Sequence, residues 1–436
     1  MRTTSCISQA EHAERRHRLQ SELGDAMAIV AGARSRRRSQ DTDYVFRQDS
    51  DLHYLTGFDQ PEAVAVLSRD RFLMFVQPRD PAMETWNGRR PGTQGAIETF
   101  GADDAFPIDQ LPKLLPGLIE NRPRLFHSFG LDKEIDEIVL AAQADLRSRV
   151  RRGIVAPTEI VSPHELIHEM RLRKSPAELA IMRDAAAISR EAHQAAARLC
   201  QPGVHEYEIQ AELEWIFRKR GGNGPAYASI VGAGENATIL HYIENSATLA
   251  DGDLVLIDAG VELASYAADV TRTYPVGGRF AGVARDVYEA VYEAQQASFA
   301  AIRPGATLES IHKAAVGKLV EALIDLGALS GDSDELIESE AYKAFYMHNT
   351  GHFLGLDVHD VGNYHVDGKP RPIEPGMCFT VEPGLYFSET NEKTPEHLRG
   401  IGVRIEDDVV MTEDGFENLT AAIPKTVDDV ERWMRE

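Results

Sequence analysis

The chain has 436 residues and a formal net charge of −23, which leaves room for two or three domains of about 150 residues each. Hydrophobic residues make up 43% and charged residues 26%. That balance excludes a disordered chain, and the acidity argues against a nucleic-acid backbone or an anionic membrane as partner. The acid is unevenly spread. Residues 1–172 carry 23 basic and 26 acidic side chains, residues 173–436 carry 23 and 43, so two parts with different tasks are expected.

At the N-terminus no apolar core of a signal peptide stands out. The first apolar run, residues 26–33, is short, follows Glu22 and Asp25, and reads as a strand. The basic string RSRRRS, residues 34–39, reads as a solvated loop in so acidic a chain. Short apolar runs (AMAIVAG, AVAVLS, RFLMFVQ, RLFHSFG) predict strands, and DEIVLAAQADLRSRV predicts a helix, giving an α/β first domain. Ser175, Pro176 and Glu178 form a helix start in which Ser caps, Pro takes the first helical position and Glu reaches back. The domain boundary is therefore placed before Ser175, dividing the chain into 1–174 and 175–436. Three scattered cysteines, Cys6, Cys200 and Cys378, suit a reducing, cytoplasmic setting. No run approaches the ~18 apolar residues of a membrane span.

The second part repeats itself. Pro202-Gly203 precedes Ile209 in the helix EYEIQAELEWIFRKR, and Pro304-Gly305 precedes Ile311 in LESIHKAAVGKLVEALIDLG at the same spacing. Each helix is followed by a glycine, an apolar strand, an acid and a second glycine: Gly252, Asp258, Gly260, and then Gly376, Glu382, Gly384. This is the pattern of a duplication with insertions.

The chemistry lies at the ends of those strands. Asp258 closes the apolar residues 254–257, and a lone buried carboxylate costs several kcal/mol without a partner or a metal. Asp269 follows in the strand AADVTRTYPV, so a hairpin can bring both acids together. Glu382 ends CFTV, and Glu406 sits in the strand GVRIEDDVV. Two acid pairs converging in an apolar setting call for cations between them. Histidines 348, 352 and 359 lie between the pairs, and one of them completes the donor set. Four carboxylates and an imidazole suit Mn²⁺, Fe²⁺, Co²⁺ or Mg²⁺ better than a thiolate-loving ion, and two pairs favour two ions.

The order Asp258, Asp269, His352, Glu382, Glu406 resembles the dimetal site of the pita-bread metallopeptidases, the family of methionine aminopeptidase, prolidase and aminopeptidase P. HNTGHFLGLDVHDVG, EPGMCFTVEPGLY and RGIGVRIEDDV, together with VFRQDSDLHYLTGFDQPEA and WNGRRPG near the N-terminus, look like the bacterial aminopeptidase P group. The resemblance implies a creatinase-like α/β N-terminal domain, then a pita-bread domain with a pseudo-twofold, curved, mostly antiparallel sheet. It implies two divalent ions per subunit, Mn²⁺ foremost, with Co²⁺, Fe²⁺ or Zn²⁺ as further options. Asp258 would bind one ion, Asp269 and Glu406 would bridge, and His352 and Glu382 would bind the second. A bridging hydroxide would attack the carbonyl carbon of an N-terminal Xaa–Pro bond, releasing the first residue of a peptide with proline in second place.

The same resemblance makes Glu382 the proton shuttle and His359 the group that polarises the scissile carbonyl. It sets His241 and His348 in the cleft. Arg404, two residues before Glu406 and so on the same strand face, would pair with a ligating carboxylate or with substrate. Tyr386 and Arg371 are candidates for the proline-ring pocket, and Asp51 and Trp86 for the N-terminal domain's approach to an active site, its own or that of a neighbouring subunit. A homo-oligomer, dimer or tetramer, is implied. Prolidase shares the five ligands but accepts only dipeptides. A metal-free binding module on the same fold would have lost ligands that this chain keeps.

Overall fold

The computed structural model describes residues 6–436, and the chain divides into two compact units, Ile7–Arg171 and Leu172–Glu436. The N-terminal unit is built on a mixed six-stranded sheet. Its strands lie in the order Asp104–Pro107, Arg71–Val76, Val64–Ser68, Met27–Ala31, Arg124–Phe126, Glu159–Val161. The two pairings made by Val64–Ser68, with Met27–Ala31 and, across a tight turn, with Arg71–Val76, run antiparallel, whereas the outer pairings run parallel. Helices Leu111–Ile119 and Lys133–Ser148 lay Leu111, Leu115, Ile135, Val139 and Leu146 on the sheet residues Ile29, Val66, Leu73 and Leu125. The string RSRRRS differs from its reading as a loop: Arg37–Ser39 pairs with Thr42–Asp43 as an exposed hairpin.

The C-terminal unit shows its repeat in full. Helices Pro176–Leu199 and Glu206–Lys219 precede the strands Ile230–Ala233, Leu254–Asp258 and Thr271–Pro275. Helices Gly282–Ala301 and Leu308–Asp325 precede Cys378–Val381, Gly384–Phe387, Ile401–Arg404 and Asp407–Thr412. The first helix is closed by its capping box, Ser175 Oγ accepting from Glu178 N while Glu178 accepts from Ser175 N. Within each half the two helices pack on each other, and every strand pairing is antiparallel. The halves are joined at their strands: Glu406 N donates to Thr271 O at 3.0 Å, and Thr273 Oγ1 donates to Arg404 O at 3.0 Å.

Two acids expected inside strands sit at breaks instead. Asp269 precedes the strand Thr271–Pro275, and Glu406 falls between Ile401–Arg404 and Asp407–Thr412. Leaving the ladder frees each residue from the pleat and lets its carboxylate turn toward the other half. Alternation then sorts the neighbours. Asp407 points away from the cleft and holds Arg272 at 2.7 Å, both fully buried. Asp408 points back and accepts from Asp269 N at 3.1 Å.

Candidate metal centre

Where the two halves meet, a cleft of about 570 Å³ is lined by Asp258, Asp269, His352, Glu382 and Glu406. Asp258 ends its strand opposite Thr271, and Glu382 follows Val381, which pairs with Asp407. The strand register thus delivers one acid pair from each half. His352 Nε2 lies 3.4 Å from Asp269 Oδ2 and 3.6 Å from Glu382 Oε1, while its Nδ1 donates to Phe353 O at 2.9 Å. That bond leaves Nε2 turned to the acids. Asp269, His352 and Glu406 each offer an atom within 4.8 Å of the others, close enough for one ion. Asp258 is held from both sides: Tyr227 Oη donates to Oδ1 and Arg404 Nη2 to Oδ2, each at 2.6 Å.

The electrostatics are those of a site short of positive charge. Burial raises the Glu406 carboxyl well above its ordinary range, and the charges of Asp269, Glu382 and Asp258 add to it. Burial likewise pushes Glu382 up to about 7, against the opposing pull of His352 and Arg404. Asp258 is raised by burial despite Arg404. Burial would lower His352, but its bond to Asp269 and the charges of Glu382 and Asp269 outweigh that and raise it to about 9. Buried oxygens that hold protons for want of cations, with one imidazole among them, fit hard or borderline divalent ions.

His241, His348, His359 and Arg404 line the same cleft. The His359 ring stands 4.2 Å from that of His352, and burial together with the His352 charge lowers its pKa, keeping it neutral. Burial and Arg404 lower His348 to about 3. Its Nδ1 donates to Asn349 O, so Nε2 accepts from Tyr386 Oη at 2.8 Å, and that oxygen accepts in turn from Arg404 Nη1 at 3.0 Å. Tyr386 is therefore a buried polar link and does not line the cleft. Arg371 is buried and also outside the cleft lining, its backbone N–H bonded to Tyr364 O. Asp51 and Trp86 belong to the N-terminal unit. Asp51 is buried against Arg171 and His168, and Trp86, on the helix Pro81–Asn87, is 84% exposed.

Several groups that support the acids carried no signal in the sequence. Thr271 Oγ1 donates to Glu406 Oε2 at 2.7 Å, and Thr380 Oγ1 bonds both His352 N and Glu382 Oε1. Together with Tyr227 they orient the carboxylates, a task that any hydroxyl at any spacing can perform once the fold brings it near.

Such a fold and site define a class. Residues 180–413 match metallopeptidase family M24, residues 12–126 match the aminopeptidase P N-terminal domain, and the chain belongs to that family as a metal-dependent hydrolase with the pita-bread fold. More particularly, it is 43% identical over 435 residues to a Xaa-Pro aminopeptidase of Escherichia coli, covering 98% of each chain. Among solved structures it is similar to Pseudomonas aeruginosa aminopeptidase PepP, with 48% identity, a TM-score of 0.96 and coverage of 99% and 98%. It also matches a zinc-substituted E. coli aminopeptidase P in complex with product, with 42% identity, a TM-score of 0.95 and 99% of each chain.

Proposed function

We propose that this chain is a Xaa-Pro aminopeptidase, hydrolysing the bond before a proline in second position and releasing the first residue. The observation that carries the reading is the convergence of Asp258, Asp269, His352, Glu382 and Glu406 in one cleft beside three further histidines, in a chain similar throughout to Xaa-Pro aminopeptidases. Asp269 and Glu406 would be shared between two divalent ions, Mn²⁺ foremost, with Asp258 on one and His352 and Glu382 on the other. Such ions supply an activated water at neutral pH and offset charge that develops on the carbonyl oxygen.

The chain's own residues do the rest. An Xaa–Pro bond is a tertiary amide without N–H, so the substrate must be held by other contacts. Val358 and Tyr364 offer apolar surface in the cleft. Neutral His359 donates a hydrogen bond to the carbonyl oxygen, and this bond strengthens as that oxygen gains charge. Glu382 takes a proton from the attacking water and returns it to the proline nitrogen, which leaves as a secondary amine. Arg404 and Tyr227 keep Asp258 in place, and Arg404 acts on His348 through Tyr386. His241 and His348 flank the path of the peptide.

We further assign a cytoplasmic location and a homo-oligomer. Among the described residues no helix is long and apolar enough to cross a membrane, and the exposed Tyr44, Val45 and Trp86 are side chains that a subunit interface would cover. The deciding assay is a panel of Xaa-Pro-Yaa tripeptides with Mn²⁺, Co²⁺ and Zn²⁺, followed by mass spectrometry. Release of free Xaa supports the reading, cleavage of Xaa-Pro dipeptides alone makes the protein a prolidase, and no cleavage with any ion overturns both.

A further inference from the structure

The N-terminal unit holds a second cluster of metal-ligating side chains, on residues unrelated to the cleft just described. His164 and His168 lie on the helix His164–Leu172. Being four residues apart they share a face, and their rings stack with centroids 4.4 Å apart and planes 16° from parallel. Both Nε2 atoms lie near one oxygen, and that of His168 bonds it. Asp51 Oδ2 lies 3.1 Å from His168 Nε2 and 3.8 Å from His164 Nε2. The other oxygen, Oδ1, accepts from Arg171 Nη1 at 2.7 Å, which fixes the carboxylate and leaves Oδ2 as the single donor toward the imidazoles. The three atoms fall within 4.8 Å of one another.

Donors held about 2.0–2.2 Å from one zinc ion in a tetrahedron stand roughly 3.3–3.5 Å apart. The His168 pair is already near that spacing; the His164 pair must close by a few tenths of an ångström, and the His164 ring must turn out of the stack so that its lone pair meets the same ion. A cleft of about 550 Å³ reaches Asp51, Ser128 and His164. It gives an ion a way in and leaves space for a water at the remaining position. Ser128 Oγ bonds His164 Nε2 at 3.0 Å, and an ion would displace that bond, freeing the hydroxyl for the water. The sequence already pairs these histidines as His164-Glu165-Leu166-Ile167-His168, the spacing at which two imidazoles on one helix face hold zinc. Glu165 is exposed, so the geometry supports binding and a cross-link rather than a second hydrolytic centre.

We propose that Asp51 Oδ2, His164 Nε2 and His168 Nε2 bind one borderline divalent cation of the Zn²⁺ or Cu²⁺ class, tying the helix His164–Leu172 to the helix Ser50–Thr56. Two nitrogens and one carboxylate oxygen select these ions over Mn²⁺ or Mg²⁺. This does not depend on the activity proposed above.

The test uses the untagged full chain, loaded with Zn²⁺, dialysed and assayed for metal per chain. Wild type should hold one equivalent more than His164→Ala, whose side chain is partly exposed and whose loss leaves the Asp51–Arg171 pair intact. Asp269→Asn should lose zinc independently, and the double variant should lose both amounts. Cu²⁺ spectra should show coupling to two nitrogens in wild type that vanishes in His164→Ala, whereas the cleft offers one ligating imidazole. Equal zinc content in wild type and His164→Ala, or copper coupling unchanged by that substitution, would overturn the proposal. His168→Ala, checked for folding by circular dichroism, gives the second arm. A folded His168→Ala that keeps the extra equivalent would overturn it as well.

Discussion

Loading metal into the cleft should release protons, and binding should tighten as pH rises. His352 is raised to about 9, Glu382 to about 7, and Glu406 well above the carboxylate range. At pH 7 His352 carries a proton in the metal-free protein and Glu382 carries about half of one, whereas a ligand must be deprotonated. Roughly one and a half protons per chain should therefore leave these two groups on loading, and the raised Glu406 can only add to that. His352 alone makes binding about tenfold tighter for each pH unit between 7 and 9, about a hundredfold or ~2.7 kcal/mol in all. Calorimetric titration with Mn²⁺ at pH 7 in two buffers of different ionisation enthalpy counts the protons. Repeating it from pH 6.5 to 8.5 gives the slope. Release of less than half a proton, or an affinity flat over that range, would refute the charge balance drawn here.

The same shifts set the metal-free protein's stability. Raised folded-state values mean that Glu382, Glu406 and His352 hold more protons in the native state than in the unfolded chain, so stability falls as pH rises, from about 4.5 to 7 for Glu382, upward from about 4.5 for Glu406 and from about 6.5 to 9 for His352. Melting temperature after chelation should drop between pH 5 and 9, and added Mn²⁺ should restore most at the alkaline end. Asp407→Asn leaves Arg272 buried with an uncompensated charge and should cost about 3–5 kcal/mol in urea unfolding; a loss under 1 kcal/mol would show that the carbonyls of Thr271, Glu406, Ile423 and Pro424 suffice. His359→Ala should lower kcat by roughly 10²–10³-fold at unchanged metal content, as loss of a donor to a developing oxyanion does, whereas His352→Ala should lose metal. The reverse result would exchange their roles. Gly260→Ala would set a Cβ 1.8 Å from Ala268 O, across the turn that joins Asp258 to Asp269, and should reduce metal content as well as melting temperature.

Much of this molecule could be read from local pattern. The capping box at Ser175, the strand runs of the first domain and the twofold glycine–strand–acid motif depend on residues close in sequence, where spacing and periodicity carry the physics. The motif also located Asp258 and Glu382, because a carboxylate at the end of an apolar run is costly wherever the chain goes. Tertiary structure decided what depends on partners far along the chain. It placed Asp269 and Glu406 at breaks rather than within strands, where pairing between the halves draws Glu406 N to Thr271 O. It gave Arg404 to Asp258 and, through Tyr386, to His348, a choice that alternation along one strand leaves open. It brought Tyr227, Thr271 and Asp408 to the acids, since a hydroxyl or a third aspartate has no spacing to betray it. It also gathered Asp51, His164 and His168 from positions more than a hundred residues apart, because only folding can fix the distance from an oxygen on one helix to two nitrogens on another.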